Sequence, residues 1–292
     1  MSGTSPFDYE NAFSRNIGWV TQKEQASLRQ KRVAIAGMGG VGGVHLLTLA
    51  RLGIGSFHIA DFDTFEIHNF NRQVGATLSH LNRPKAEVLA EMARDINPEL
   101  DIRIFPEGVT RDNLDVFFEN VDLYVDGLDF FAFQAREDTF SACARFSIPA
   151  VTAAPLGMSS ALLSFLPGKM TFEDYFGWNG CTELEKGLKF LLGLAPAGLH
   201  FGYLVDPSAV RLAEKKGPST VMACQICAGM VATEALKILL DRGQVLCAPH
   251  GQQFDAYRNR MVRTWRPGGH RHPLQRLALM VARRRFSRQI TR

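Results

Sequence analysis

At 292 residues, with 46% hydrophobic and 21% charged side chains, the chain carries enough apolar material for a buried sheet covered by helices and is unlike a disordered or collagen-like polymer. No run of eighteen apolar residues occurs, Met1 to Tyr9 lack the basic-then-apolar order of a secretory leader, and five irregularly spaced cysteines make no disulfide framework, so a cytoplasmic protein of one large domain with free thiols is expected. The net charge of +4 is concentrated at one end: eleven of the 33 basic residues lie between Ala256 and Arg292, a stretch without an acid, leaving 22 against 29 acidic groups elsewhere.

In chain order, residues 7 to 30 have helical character. Arg32 to Ala36 reads as the first strand, ending in the glycine-rich run Gly37 to Gly43, and Val44 to Leu52 as a helix stopped by Gly53-Ile54-Gly55. Ser56 to Ala60 is the second strand, which completes a βαβ unit and calls for a parallel sheet. The alternation continues with a helix at Pro84 to Asp95, a strand near Asp101 to Phe105 and a helix around Asp112 to Phe118. A fourth strand follows at Leu123 to Asp126, then a helix at Phe133 to Phe146 and a fifth strand at Ala150 to Ala153. Leu162 to Leu166 reads as an antiparallel strand, Met222 to Leu240 as an amphipathic helix and Gln253 to Tyr257 as a terminal strand. Residues 168 to 220 show no clean period, as in a long crossover or substrate-facing insertion. Their aromatic group Phe172 to Trp178 serves either an acceptor pocket or the cover of an open sheet face.

Gly37, Gly39, Gly40 and Gly42 fit G-x-G-x-x-G directly after a strand and at the opening of a helix. Glycine there lets backbone N–H groups approach a phosphate, and the helix N-terminus adds a favourable dipole. Asp61, closing the second strand, is placed to accept hydrogen bonds from a ribose. To this point NAD and ATP fit equally. The stretch from Asp61 to Gln73, with Lys85 following, is polar and cationic in a way that hydride transfer leaves idle.

These residues resemble the ThiF/MoeB/HesA family, the bacterial relatives of ubiquitin-activating enzymes. The family pattern is met in order by Gly37 to Gly42, Asp61 and Asp63, Asn69 with Arg72 and Gln73, Lys85, Ile96-Asn97-Pro98, and Asp126-Gly127-Leu128-Asp129. The match covers residues 10 to 165, with a weaker echo at 222 to 257. The resemblance implies an α/β fold: a Rossmann-like, mostly parallel sheet flanked by helices, with antiparallel C-terminal strands and a crossover insertion. It divides the chain into an adenylation domain over 1–257, with a nucleotide-binding core at 30–165 and a crossover at 168–220, and a basic tail at 258–292.

The activity implied is ATP-dependent adenylation of a carboxylate with release of pyrophosphate. A carboxylate attacking the α-phosphate meets like charge, so cations must surround the phosphates. By the resemblance Arg72 and Lys85 hold the triphosphate, Asn69 and Gln73 add hydrogen bonds, Asp61 binds the ribose with Asp63 in support, and Asp129 helps hold Mg²⁺. Arg15 matches an arginine finger delivered from the other subunit of a homodimer. The implied partner is a small protein or peptide with a free C-terminal carboxylate.

Cys224-Gln225-Ile226-Cys227 is a single Cys-x-x-Cys pair where a structural zinc needs two, so core packing and no zinc are expected. Cys181, before Thr182, is either an acyl acceptor from the adenylate or an inert loop thiol. The arginine-rich tail is either a solvated or self-docked helix or a contact for an anionic partner: a lipid surface, an acidic protein face or RNA. That last reading would suit the branch of the family that dehydrates threonylcarbamoyladenosine in tRNA. From another class, an NAD(P)-binding oxidoreductase shares the glycine loop but gives Arg72, Lys85 and Asp129 no work.

Overall fold

The computed structural model describes residues 7–211, 214 and 216–290, with side chains to residue 284. The chain's extreme ends, part of the expected crossover at 212, 213 and 215, and the side chains of the expected tail from 285 onward lie outside the described residues. Eight strands form one sheet in the order β3-β2-β1-β4-β5-β6-β7-β8. They are β1 (Arg32–Ala36), β2 (Ser56–Ala60), β3 (Asp101–Phe105), β4 (Leu123–Asp126), β5 (Ala150–Leu156), β6 (Ser159–Phe165), β7 (His250–Asp255) and β8 (Arg260–Trp265). The first five run parallel and the last three pair antiparallel.

That division follows from the connections. The helices α3 (Gly42–Arg51), α4 (Lys85–Ile96), α5 (Leu114–Phe117) and α6 (Phe133–Phe146) return the chain to the same end of the sheet between successive strands. The turn at Gly157 and Met158, with Gly157 at φ +66°, reverses it directly. After β3 the chain crosses back to place β4 on the other side of β1. The strand order therefore switches between β1 and β4, which opens a crevice at their carboxyl ends.

Alternation along each strand divides the core. Val33 and Ile35 of β1 face an aliphatic layer with Leu28, Leu46, Leu49, Val88 and Leu89. Ala34 and Ala36 face an aromatic layer built from Phe117, Tyr124, Phe140, Phe165, Phe172, Phe176, Trp178 and Phe190. The small alanines leave room for those rings. α1 (Tyr9–Ala12) and α2 (Gln22–Arg29) lead into β1, and Leu28 of α2 joins the aliphatic side.

The strands β1 to β4 and the helix α6 lie where the residue pattern places them, and the sheet is the mixed, mostly parallel one expected. The later half differs in detail. Within 168–220 the chain forms α7 (Phe172–Phe176), α8 (Glu183–Leu194) and short 3-10 turns. The rings of Phe172, Tyr175, Phe176 and Trp178 are buried, so this aromatic group covers the sheet face. The helix α9 (Val221–Leu239) is apolar nearly all round rather than amphipathic. Its length and composition would suit a membrane span, yet it lies against β5, β6 and α3 as a core helix. Beyond residue 257 the chain adds β8 and then α10 (Pro273–Ile290). Arginines at 260 and 263 conceal the alternation of β8, an edge strand on which charge keeps other strands away.

Candidate active site

The glycine-rich turn sits at the switch point. Gly37 has φ +86°, and its amide donates to the Ala60 carbonyl at 2.7 Å. A Cβ on Gly37 would lie 2.9 Å from Cα of Leu128 and closer still to Gly127, while one on Gly42 would strike the Gly37 carbonyl. These glycines let the turns after β1 and β4 touch. Gly39 is open by comparison, since its nearest neighbour would be Gln73 Nε2 at 3.8 Å. α3 then starts from Val41 without a side-chain cap, so no side chain competes for its first amides.

Asp61, at the end of β2, spans the crevice. Its Oδ2 accepts from the Met38 amide at 2.5 Å and its Oδ1 from the Asp63 amide at 2.8 Å. Burial pushes its pKa above the usual carboxylate value, against the opposing pull of the two amides and of Lys85. Each of its oxygens keeps a lone pair for a further donor.

Lys85 is the first residue of α4. It is only 6% exposed, and its ammonium reaches Asp63 Oδ2 at 2.9 Å. Arg72 Nη1 donates to the His68 carbonyl at 3.2 Å and to Asn71 Oδ1 at 3.0 Å. A methyl on Gly40 would meet the Arg72 side chain at 3.6 Å and Cys224 Sγ at 3.2 Å, so loop, guanidinium and the start of α9 adjoin. Asn69 is buried and caps its own turn, its Oδ1 accepting from the Glu66 amide. Gln73 is buried with its Oε1 unpaired among the described residues. Such an acceptor is costly unless something else occupies the crevice.

Asp129 is exposed on the turn after β4, where its Oδ1 accepts from the Phe131 amide at 2.9 Å. Arg136 on α6 holds this turn, and nothing in the sequence reading singled it out. Its Nε pairs with Asp126 Oδ2 at 2.8 Å, both side chains 2% exposed. Its Nη2 donates to the Leu128 and Asp129 carbonyls at 2.8 and 3.0 Å, its Nη1 to the Phe130 carbonyl, and its guanidinium lies 4.5 Å from the Phe190 ring centre. Thr152 Oγ1 completes the shell of Asp126 at 2.8 Å. The signal was present in the sequence: Phe133, Arg136, Phe140 and Cys143 fall on one buried face of α6, and an arginine on such a face needs a carboxylate.

Arg15 is exposed on the 3-10 turn Ser14–Asn16. Its neighbour Asn16 donates to the Leu52 carbonyl, at the far end of α3 from the glycine loop. Over its ten residues α3 spans about 15 Å between that end and the glycine loop.

The residues fit a nucleotide: a glycine cradle with one face open, cations at its rim, a carboxylate for ribose and an orphaned buried amide oxygen. Among the described residues no three His, Cys, Asp or Glu side chains gather as a metal site. Cys181 lies elsewhere, half-buried before α8, with Lys189 Nζ 3.1 Å from its sulfur. Cys224 and Cys227 are buried in α9, where burial raises both thiol pKa values.

Comparison with known proteins gives the same architecture. Residues 13–277 match the ThiF family. The chain is 32% identical over 153 residues to the heterocyst HesA protein of Trichormus variabilis, covering 52% of this chain and 55% of that protein. It is 30% identical over 141 residues to a tRNA threonylcarbamoyladenosine dehydratase of Bacillus subtilis, covering 48% and 55%. The chain thus spans about half the length of the curated relatives it matches. Among solved structures, E. coli MccB with succinimide superposes with a TM-score of 0.66 at 19% identity, covering 89% of this chain and 73% of that one. At that identity the likeness speaks for the fold alone.

Proposed function

The chain belongs to the ThiF family, and from that premise we propose that it is an ATP-dependent adenylyltransferase that activates the C-terminal carboxylate of a small protein or peptide. One observation carries the reading: the glycine turn, Asp61, Arg72, Lys85 and the Asp129 turn meet at the single place where the strand order reverses. A nicotinamide enzyme would need the first two and leave the others without a task.

In this reading the open amides of the Gly39 turn and α3 cradle phosphate, and Asp61 receives the ribose hydroxyls. Arg72 and Lys85 offset the charge that builds up as the substrate carboxylate attacks the α-phosphate and pyrophosphate departs. Lys85 is held ready by Asp63, and forming the nucleotide complex draws its ammonium partly away from that carboxylate. Mg²⁺, when bound, would neutralise phosphate charge beside Asp129. As the family resemblance implies, Arg15 reaches the site of a second copy of the chain, and the working unit is a homodimer.

The test is ATP–pyrophosphate exchange with candidate peptide carboxylates. Exchange that depends on the carboxylate and drops at least 100-fold in both Arg72→Ala and Asp129→Ala, with unchanged melting temperatures, is the expected result. Exchange indifferent to both substitutions sinks the reading. For Arg15, mixing Arg15→Ala with Arg72→Ala chains should restore part of the activity each lacks alone, because one mixed site then keeps both arginines.

A further inference from the structure

The helix α10 is docked by one face only. Gln275 and Leu279 point inward and line a small gap with Tyr175, Phe176, Lys189 and His270, and Arg283 ties the helix to α8 through Glu185 at 2.5 Å. The opposite side carries Leu274, Leu277 and Val281 at the i, i+3, i+7 spacing of a single stripe, with Met280 beside it. These four are 56%, 54%, 58% and 50% exposed. Arg276 and Arg284 are exposed among them. Four aliphatic side chains half in water on one helix that already has a buried side are not the signature of a solvated terminus.

We propose that this outer face of α10 is a docking surface for an anionic lipid bilayer. An interfacial helix needs an apolar stripe to enter the acyl boundary and cations to meet lipid phosphates. This one has both, and it belongs to a stretch from Ala256 onward with eleven arginines and no acidic residue to repel the surface. RNA would engage the arginines but gain nothing from Leu277 and Val281. A second copy laid face to face would bring arginine against arginine. Bound this way, the helix lies flat on the membrane with its inner face still on α8.

The experiment is sedimentation of the full chain with vesicles of phosphatidylcholine alone and of phosphatidylcholine mixed with phosphatidylglycerol, at low and high salt. Binding is expected only to the mixed vesicles, weakening as salt rises. Each of Arg276→Gln and Arg284→Gln should weaken it about fivefold, and the double change Leu277→Ser with Val281→Ser at least tenfold. All these positions are exposed, so circular dichroism and melting temperature should match the parent chain. Absence of sedimentation with the mixed vesicles overturns the proposal. So does binding untouched by the serine changes together with equally tight retention of tRNA, which would assign the arginines to nucleic acid. A parent chain that loses a dimer in the serine variant would assign the stripe to self-association instead.

Discussion

Two pairs of helices, one on each face of the sheet, begin differently. On the aliphatic face α3 and α4 start from Val41 and Pro84 with no side-chain cap, and both N-termini abut the crevice. On the aromatic face α7 and α8 open with capping boxes, Thr171 with Asp174 and Thr182 with Glu185, each satisfying its own first amides. In these pairs the helices that open on the crevice leave their first amides free of side-chain caps, while the two that cover the aromatic layer close themselves. The link between the two sides is Arg136, which grips the Asp129 turn from the aromatic side and touches Phe190 of α8.

Cutting that link should have the largest effect. Arg136→Ala leaves the buried Asp126 carboxyl without its partner, and breaking a buried pair in this way costs about 3–5 kcal/mol. Urea unfolding should register that loss, with exchange activity falling besides because the Asp129 turn loses three carbonyl anchors. Arg136→Lys should recover part of the stability and little of the activity, since an ammonium cannot fork between the carboxylate and those carbonyls. A stability change under about 1 kcal/mol in Arg136→Ala would mean that the two faces are not joined there.

The glycine loop, the carboxylate of Asp61 at the end of β2 and the first four strands were legible because each follows a local rule, a strand, a tight turn, a carboxylate at a strand end, whereas the role of Lys85 came only with the family resemblance. Arg136 was readable as an arginine on a buried helix face, but its partner Asp126 lies ten residues earlier and across a turn, where no periodicity points to it. The strand β8 was hidden by its arginines and α7 by its five-residue length, while Gly187 and Gly193 interrupt the helical reading of α8, although Thr-x-x-Asp at 171 and Thr-x-x-Glu at 182 were readable starts. The placement of Arg15 at the far end of α3 is likewise a tertiary fact, set by the Asn16 hydrogen bond to Leu52.

A middle-sized effect separates the faces by pH. His45 of α3 is fully buried with both ring nitrogens unpaired among the described residues, and burial lowers its pKa to about 3. The unfolded chain takes up a proton near 6.5 that the folded chain refuses. The stability this histidine permits is therefore complete above pH 6.5 and lost as pH falls toward 3, at about 1.4 kcal/mol per unit. His45→Leu, of similar volume, should stabilise the chain by about 1–3 kcal/mol at neutral pH and flatten the difference between urea midpoints at pH 7.5 and 5.5. An unchanged pH slope in the variant would show that the imidazole finds water or a partner on the aliphatic side.

The smallest expected effect tests whether the aromatic-side helices really close themselves. Thr182 Oγ1 accepts the Glu185 amide, and Glu185 answers through the Thr182 amide. Thr182→Ala removes the first of these bonds, a loss of about 1 kcal/mol that falls on the first turn of α8. Because Phe190 packs further along the helix, against Phe130 and Trp178, fraying at residue 183 need not reach the Asp129 turn. Amide hydrogen exchange should then quicken at residues 183 to 187 and remain unchanged in α3 and β1, with ATP–pyrophosphate exchange intact. Faster exchange spreading to the glycine turn would show that α8 supports the site from its first residue, and the contrast between open and self-closed helices would have to be redrawn around Arg136 alone.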